Sequence, residues 1–319
     1  MAKIIVTGAA GFIGSCLVSY LLENTKHEIV GIDSGTDYYD INIKKKNITR
    51  NSNERYVCYH EDILHIKHLN RIFDTERPDY VFHFAAQPGV MYSVNHTTAV
   101  MNTNVIGFLN VMDACNKYGV KKFLYASSSS IYGDGLNGIP QPVSPYGVSK
   151  YCDEMLAEVY SRYNDFDLHA VGLRFYTVYG PYMRPDLAIA KFTRSIIDNK
   201  PITVFGDGIQ MRDFTYIDDV VRICVKLMDS QPRYYHELFN IGTGDNWSIR
   251  KLIDIIIEAA NPEYDRSLIS YDNEKPYDVK STLATTRKLE ARIHDKPTTT
   301  LTEGIKQYIE WYKSNDNMD

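Results

Sequence analysis

The sequence predicts an α/β fold: a doubly wound parallel sheet with helices on both faces, followed by a smaller α/β domain. Three observations predict it. Short runs rich in β-branched residues alternate with helical patterns through the first half of the chain. A glycine-bearing turn joins the first strand to the first helix. A later apolar run ends in consecutive hydroxyls, Ser127 to Ser130, at the strand end where open parallel sheets bind their ligands.

Lys3 to Thr7 reads as a short buried strand. It runs into Gly8-Ala9-Ala10-Gly11-Phe12-Ile13-Gly14, and a helical pattern follows from Ser15 to Glu23. In that context Gly8 permits the tight turn, Gly11 lets backbone approach a pyrophosphate, and Gly14 lets the helix pack closely on the strand. Phosphates then sit at a helix N-terminus, where free N–H groups and the dipole favour anions. The glycines fall three apart, not in the G-x-G-x-x-G pattern.

The second strand, His27 to Ile32, ends at Asp33. An acidic residue there suits the ribose hydroxyls of NAD and repels the extra phosphate of NADP, so NAD is the expected cofactor. The run Lys44-Lys45-Lys46 reads as a solvated helix face. Further strands read at 56–59, 80–84, 123–127 and 169–174. Apolar helical faces run from Ala99 to Lys117 and from Tyr146 to Tyr163. Beyond Thr177 the pattern is less regular, with turns at Gly206-Asp207-Gly208 and Gly242-Thr243-Gly244, and a smaller substrate domain is expected.

The 319 residues suffice for one large or two modest domains, and 44% hydrophobic with 24% charged residues is ordinary for a globular protein. A net charge of −5 leaves no electrostatic footprint for nucleic acid. No apolar run approaches membrane-spanning length and no signal peptide is read, so no membrane partner is expected. The five cysteines show no C-x-x-C spacing; buried thiols, no metal site, no disulfide framework and a reducing cytoplasm are expected.

The chemistry centres on Ser144-Pro145-Tyr146-Gly147-Val148-Ser149-Lys150. Four residues apart on a helix, Tyr146 and Lys150 project from one face. A phenol has a reference pKa of about 10, and lowering it to about 7 takes roughly 4 kcal/mol of differential stabilisation. A nearby ammonium favours the phenolate, and a cationic nicotinamide can share the task. A serine at the end of the 123–127 strand can bridge a sugar hydroxyl and the tyrosine oxygen.

These runs, with His83-Phe84-Ala85-Ala86-Gln87, Leu173 to Pro185 and Arg212 to Asp219, resemble an extended short-chain dehydrogenase/reductase, specifically an NAD-dependent nucleotide-sugar epimerase. They cover nearly the whole chain in family order. Asp37-Tyr38-Tyr39-Asp40, Phe175 to Pro181 and Arg184-Pro185-Asp186 are most similar to the UDP-glucuronate 4-epimerase group.

The resemblance implies 4-epimerisation of a UDP-sugar through a 4-keto intermediate, with Ser128, Tyr146 and Lys150 catalytic. It implies a cofactor set of Gly8, Ala10, Gly11, Phe12, Ile13, Gly14, Asp33, Asp62, Ile63, Ala85, Ala86, Gln87 and Asn104, besides Tyr146 and Lys150. Ser128, Ser129, Ser130 and Thr177 can hydrogen-bond the sugar. Arg184 closes over the sugar or phosphates, and Val204 with Phe205 lines the uracil site. Arg212 is the phosphate clamp, its alternative being a salt bridge to Asp213 or Asp218. Lys275, in place of the group's usual Arg, and Asp278 fall where phosphate and nucleotide ribose are contacted.

Ser129 and Ser130 stand where related 4,6-dehydratases carry an acidic pair and decarboxylases a Glu, and serines cannot do that acid–base work. Three departures bear on the sugar. Met91 replaces the uronate group's usual Arg, the 133–144 segment is short, and Thr282 falls near a position that is a bulky Tyr in some hexose epimerases. UDP-glucose/galactose and UDP-N-acetylglucosamine/galactosamine are therefore alternatives to the uronate pair. A non-catalytic NAD-binding protein would be expected to lack part of Ser128, Tyr146 and Lys150, and all three are present. The expected domains are 1–176, with 212–240 returning to it, and 177–211 with 241–319. A homodimer built on the 99–117 and 146–163 helices is implied.

Overall fold

The computed structural model describes residues 1–135, 138–162, 168–275 and 277–315. Strands and helices follow in chain order: β1 (Lys3–Thr7), α1 (Phe12–Asn24), β2 (Glu28–Asp33), α2 (Ile41–Arg50), β3 (Tyr56–His60), α3 (Ile66–Glu76), β4 (Tyr80–His83), α4 (Val90–Asn95) and α5 (Thr97–Met101). A π-helical turn, Asn102–Ile106, then leads into α6 (Gly107–Lys117) and β5 (Lys122–Ser128). A 3₁₀ turn, Ser129–Tyr132, precedes α7 (Pro145–Tyr160) and β6 (His169–Phe175). The rest comprises β7 (Thr177–Tyr179), α8 (Ala188–Ile197), β8 (Ile202–Phe205), β9 (Met211–Arg212), β10 (Phe214–Tyr216), α9 (Ile217–Asp229), β11 (His236–Ile241), β12 (Trp247–Ser248), α10 (Ile249–Ala260), β13 (Ile269–Asp272), α11 (Arg287–Ile293) and α12 (Leu301–Asn315).

Seven strands form one sheet in the order β11-β6-β5-β4-β1-β2-β3. The pairs from β3 across to β6 are all parallel. The order reverses between β1 and β4, and the crevice beyond the strand C-termini at such a switch point is where doubly wound folds bind ligands. Both faces are covered, so β1 reads as a continuous apolar run: Ile4, Ile5 and Val6 are all fully buried. Phe73, Phe108, Phe123 and Tyr125 pack into the core on one side of this sheet.

The chain divides into two compact units, Met1–Phe175 with Val221–Asn240, and Tyr176–Val220 with Ile241–Asp319. Residues 212–220, read from sequence as part of the return, belong to the second unit because β10 pairs in parallel with β7. That unit also pairs β8 with β13 and β9 with β12.

Three local readings change. The 99–117 segment is not one α-helix, since the π-helical turn interrupts it at Asn102–Ile106. Helix α7 ends at Tyr160, and Tyr163 lies outside the described residues, as do Leu136 and Asn137 of the short 133–144 segment. Lys44 is not solvated: it is 7% exposed, its ammonium donating to Thr36 Oγ1 at 2.9 Å and lying 3.9 Å from Asp33. Lys44 lies on the face of α2 that packs inward, so its charge misleads about its position.

Candidate active site

In the first unit, the glycine turn folds onto itself. Gly8 takes φ +72°, a left-handed conformation that glycine adopts without strain. A Cβ on Gly14 would lie 2.1 Å from Gly8 O, so only glycine lets α1 start this close to the turn. Gly11 caps α1 with no side-chain hydrogen bond, leaving the first-turn amides of Phe12, Ile13 and Gly14 for an anion. Asp33, at the C-terminal end of β2, accepts from Ala10 N (3.1 Å) and Gly35 N (2.8 Å). One carboxylate thus joins the turn to the loop after β2. This uncapped anion cradle with an acidic group beside it fits a dinucleotide carrying free ribose hydroxyls.

Asp62 and Ile63 follow β3; Asp62 Oδ1 accepts from Leu64 N (2.9 Å), and Ile63 is buried. Ala85, Ala86 and Gln87 follow β4, with Ala85 N donating to Thr7 Oγ1 at 3.2 Å. Asn104, in the π-helical turn, is fully buried. Its Oδ1 accepts from Gln87 N (2.7 Å), and its Nδ2 donates to Gln87 O (3.2 Å) and Ser149 Oγ (2.9 Å). Both amide protons are therefore spent on the protein. Asn104 thus ties the loop after β4 to α7. Single π turns inside helices are frequent at functional sites.

Helix α7 begins as its sequence dictates. Ser144 accepts from Gly147 N at 3.1 Å as the N-cap, and Pro145 occupies the first turn. Tyr146 is half-buried, and its amide donates to Ser93 Oγ at 3.1 Å. A Cβ on Gly147 would lie 2.6 Å from Ser130 O, so this glycine lets the first turn of α7 lie against the Ser129–Tyr132 turn. That approach brings Tyr146 and Ser128 to the same end of the sheet. Ser128 is 8% exposed and its Oγ accepts from Ser130 N at 3.1 Å; Ser129 and Ser130 are half-buried.

Lys150 is buried, and its ammonium donates to Asp153 Oδ2 at 3.0 Å. Burial pushes the Asp153 carboxyl up to about 7, although Lys150 opposes the shift. An ammonium has three donors, and Asp153 takes one of them. His83, at the end of β4, accepts or donates at Nδ1 with Thr7 Oγ1 (2.8 Å). Burial, with the Lys150 charge second, holds its pKa down at about 3, so the imidazole is neutral.

Behind these groups lies an ionic network. Arg174 on β6 forks onto Glu154 of α7 (Nε–Oε1 2.8 Å, Nη2–Oε2 2.7 Å), and Ser127 donates to the same carboxylate at 2.5 Å. Arg174 also reaches Tyr132 Oη at 2.5 Å, and that hydroxyl donates to Asn240 Oδ1 at 2.8 Å. Ser127 directly precedes Ser128, and Glu154 lies one turn beyond Lys150. The network therefore ties the strand end to the helix that carries the tyrosine and lysine.

Sequence reasoning missed Asp153, Gly147, Ser93 and this network. Asp153 and Glu154 were within reach, at three and four residues from Lys150 on one helix. Arg174 and Asn240 carry no local signal.

In the second unit, Arg212, expected to clamp phosphate, pairs with neither Asp213 nor Asp218, the alternative partners in the sequence. Its Nη2 meets Asp278, and its Nη1 donates to Met211 O at 2.7 Å. Asp213 faces elsewhere: it is fully buried and accepts from Thr243 N, Thr243 Oγ1, Gly244 N and Ala284 N at 2.8 to 3.0 Å. Thr282 Oγ1 accepts from Asp213 N at 3.1 Å. Lys275 Nζ stands 4.1 Å from the Phe205 ring centroid.

Strand alternation separates Val204, 1% exposed, from Phe205, 41% exposed. Only Phe205 presents its side chain outward, so a ring on this strand would stack on Phe205 and not on Val204. Arg184 forks onto Asp186 at 2.8 and 2.9 Å. Thr177 opens β7, its amide donating to Asp213 O at 3.0 Å. Met91, on α4, is exposed.

The model of the NAD dependent epimerase/dehydratase family matches residues 4–242. The chain belongs to this family. Among curated family relatives it is 35% identical over 324 residues to a UDP-glucuronate 4-epimerase from Thermodesulfobacterium geofontis, covering 99% of this chain and 97% of the relative. Two solved structures cover 98% of the chain and 99% of their own. One is UDP-glucuronic acid 4-epimerase from Bacillus cereus in complex with UDP-glucuronic acid and NAD (TM-score 0.89, 34% identity). The other is UDP-glucose 4-epimerase from Thermotoga maritima with UDP-glucose (TM-score 0.89, 33% identity).

Proposed function

We propose that this chain is an NAD-dependent UDP-sugar 4-epimerase, an isomerase, and that its substrates are UDP-glucuronate and UDP-galacturonate. The observation that supports it is that Ser128 ends β5 and Tyr146 and Lys150 lie on α7, while the 8–14 turn opens α1 without a side-chain cap and Ala10 N donates to Asp33. The full-length likeness to 4-epimerases supports the same reading.

NAD, when bound, supplies a hydride acceptor that returns what it takes. The cradle at 8–14 would hold its pyrophosphate and Asp33 its adenosine ribose. Tyr146 removes the proton from the sugar 4-hydroxyl and gives it back after the 4-keto sugar has turned over. Lys150 stabilises the phenolate, with Asp153 anchoring its third donor. Ser128 donates to the 4-oxygen. In the second unit, Arg212 and Lys275 meet the diphosphate, Asp278 the nucleotide ribose, and Phe205 the uracil ring.

Ser129 and Ser130 offer neutral donors to a sugar carboxylate. Met91 favours a second reading, the neutral UDP-glucose/galactose pair, because no cation stands there for a carboxylate. Assays of the purified protein with UDP-glucuronate, UDP-glucose and UDP-N-acetylglucosamine distinguish the readings. Highest kcat/KM on UDP-glucuronate supports the uronate, and turnover of none contradicts the epimerase assignment.

A homodimer is part of the proposal. Val148, Met155 and Val159, seven and four residues apart on α7, are all exposed, as is Ile106 before α6. An apolar stripe of this kind suits a helix packing on its copy. Light scattering at the monomer mass contradicts it. No helix among the described residues is long and apolar enough to cross a membrane, and a cytoplasmic location is proposed with the reducing state of the five free cysteines.

A further inference from the structure

The cysteine pattern argued against a metal, but histidines converge elsewhere. Glu61 lies just after β3, His65 precedes α3, and His68 is in the first turn of α3. His65 Nδ1 lies 2.7 Å from Glu61 Oε1, and His68 Nδ1 lies 2.8 Å from Oε2. One ligand atom from each of the three residues lies within 4.8 Å of the others. The imidazoles stand edge to face with centroids 6.0 Å apart, so both Nδ1 atoms address one carboxylate without stacking.

We propose that Glu61, His65 and His68 form a binding site for a divalent transition-metal ion of the zinc type, separate from the epimerase centre. Two imidazole nitrogens and one carboxylate oxygen suit Zn²⁺, whereas Mg²⁺ and Ca²⁺ prefer all-oxygen sets. Three protein ligands leave the fourth tetrahedral position to water.

With bonds of about 2.0–2.2 Å, ligand atoms around a tetrahedral ion stand roughly 3.3 Å apart. The present N···O contacts, 2.7 Å to Oε1 and 2.8 Å to Oε2, must therefore open by about half an ångström, and the wider separations among the ligand atoms, within 4.8 Å, must close. The side chains of both histidines are about two-thirds exposed and free to make that shift. Each Nδ1 proton moves to Nε2 or to solvent as the metal takes its lone pair.

Glu61 is the less exposed member and is already oriented. Its amide donates to Asp33 O at 3.1 Å, and its Oε1 accepts from Asp62 N at 2.9 Å. The carboxylate is thus held before any ion arrives, and the site costs little ordering beyond two imidazoles. A bound ion would join the end of β3 to the start of α3.

The test is zinc titration of the untagged full chain, saturated with NAD, followed by calorimetry and by thermal melting. The expected result is one equivalent bound, unaffected by millimolar Mg²⁺, with a melting temperature that rises with zinc. The His65→Ala/His68→Ala double variant, at exposed positions, and Glu61→Gln, which keeps the side chain's shape, should each weaken that binding at least tenfold and lose the thermal shift, with circular dichroism unchanged. No binding by the parent chain, or equal binding and equal shift in the double variant, overturns the assignment. Tetrahedral Co²⁺ absorption that disappears in the double variant would support it through a readout independent of affinity.

Discussion

Replacing Glu154 by alanine removes the carboxylate that holds Arg174 and Ser127. Glu154 has no exposed side-chain surface and Arg174 only 15%, so the guanidinium is left charged and nearly dry. Removing one partner of a buried pair costs about 3–5 kcal/mol. The unit that contains it spans 175 + 20 = 195 residues. For domains of that size about 1 kcal/mol moves the melting temperature by roughly 2–4 °C, giving an expected drop of about 6–20 °C.

The assay is urea and thermal unfolding of E154A, R174A and the double variant. A coupling of about 2 kcal/mol or more between the two sites is expected. Activity should fall at least about tenfold in E154A, because the strand end that carries Ser128 and the helix that carries Tyr146 lose their common tie. A loss under about 1 kcal/mol, with kcat unchanged, would refute both the energetics and the positioning role.

Two other perturbations follow from the same geometry. Gly147→Ala places a methyl 2.6 Å from Ser130 O; an overpacking cost of about 1–3 kcal/mol is expected, with kcat reduced and NAD affinity retained in equilibrium binding. His83 is buried with a pKa of about 3 against an ordinary 6.5. In the unfolded chain it protonates below 6.5, whereas in the folded protein it stays neutral down to about 3, so stability is lost as pH falls through that window. The 3.5-unit gap corresponds to about 5 kcal/mol at its limit. Urea midpoints at neutral and acid pH should therefore converge in His83→Gln, and an identical acid loss in parent and variant contradicts this origin.

The turn, helix start and strand end of the proposed cofactor half were legible because their signals are local. A glycine turn, a helix start and an acidic strand end lie within one β-α-β stretch, and each is dictated by backbone geometry. Tyr146 and Lys150 were equally plain from helical spacing. The partner of Lys150 was not, since Asp153 could as readily have faced solvent, and only burial of that helix face joins the two.

The Arg212–Asp278 contact spans 66 residues, and the Glu154–Arg174 pair depends on α7 lying over β6. No sequence period encodes such meetings. Lys44 shows the limit of charge as a guide to exposure. The π-helical turn at Asn102–Ile106 shows the limit of periodicity, since the apolar pattern runs through it unbroken while the hydrogen bonds shift to place Asn104 on Gln87 and Ser149.

The most direct test of the proposed chemistry is rapid mixing of the NAD-loaded enzyme with UDP-sugar while following the near-ultraviolet absorbance of reduced nicotinamide. The parent protein should show a transient rise that decays as the epimer accumulates. Tyr146→Phe should keep its NAD yet lose both the transient and about 10²- to 10⁴-fold of turnover. Turnover by that variant within tenfold of the parent, or product formation without any reduced cofactor appearing, would contradict the mechanism.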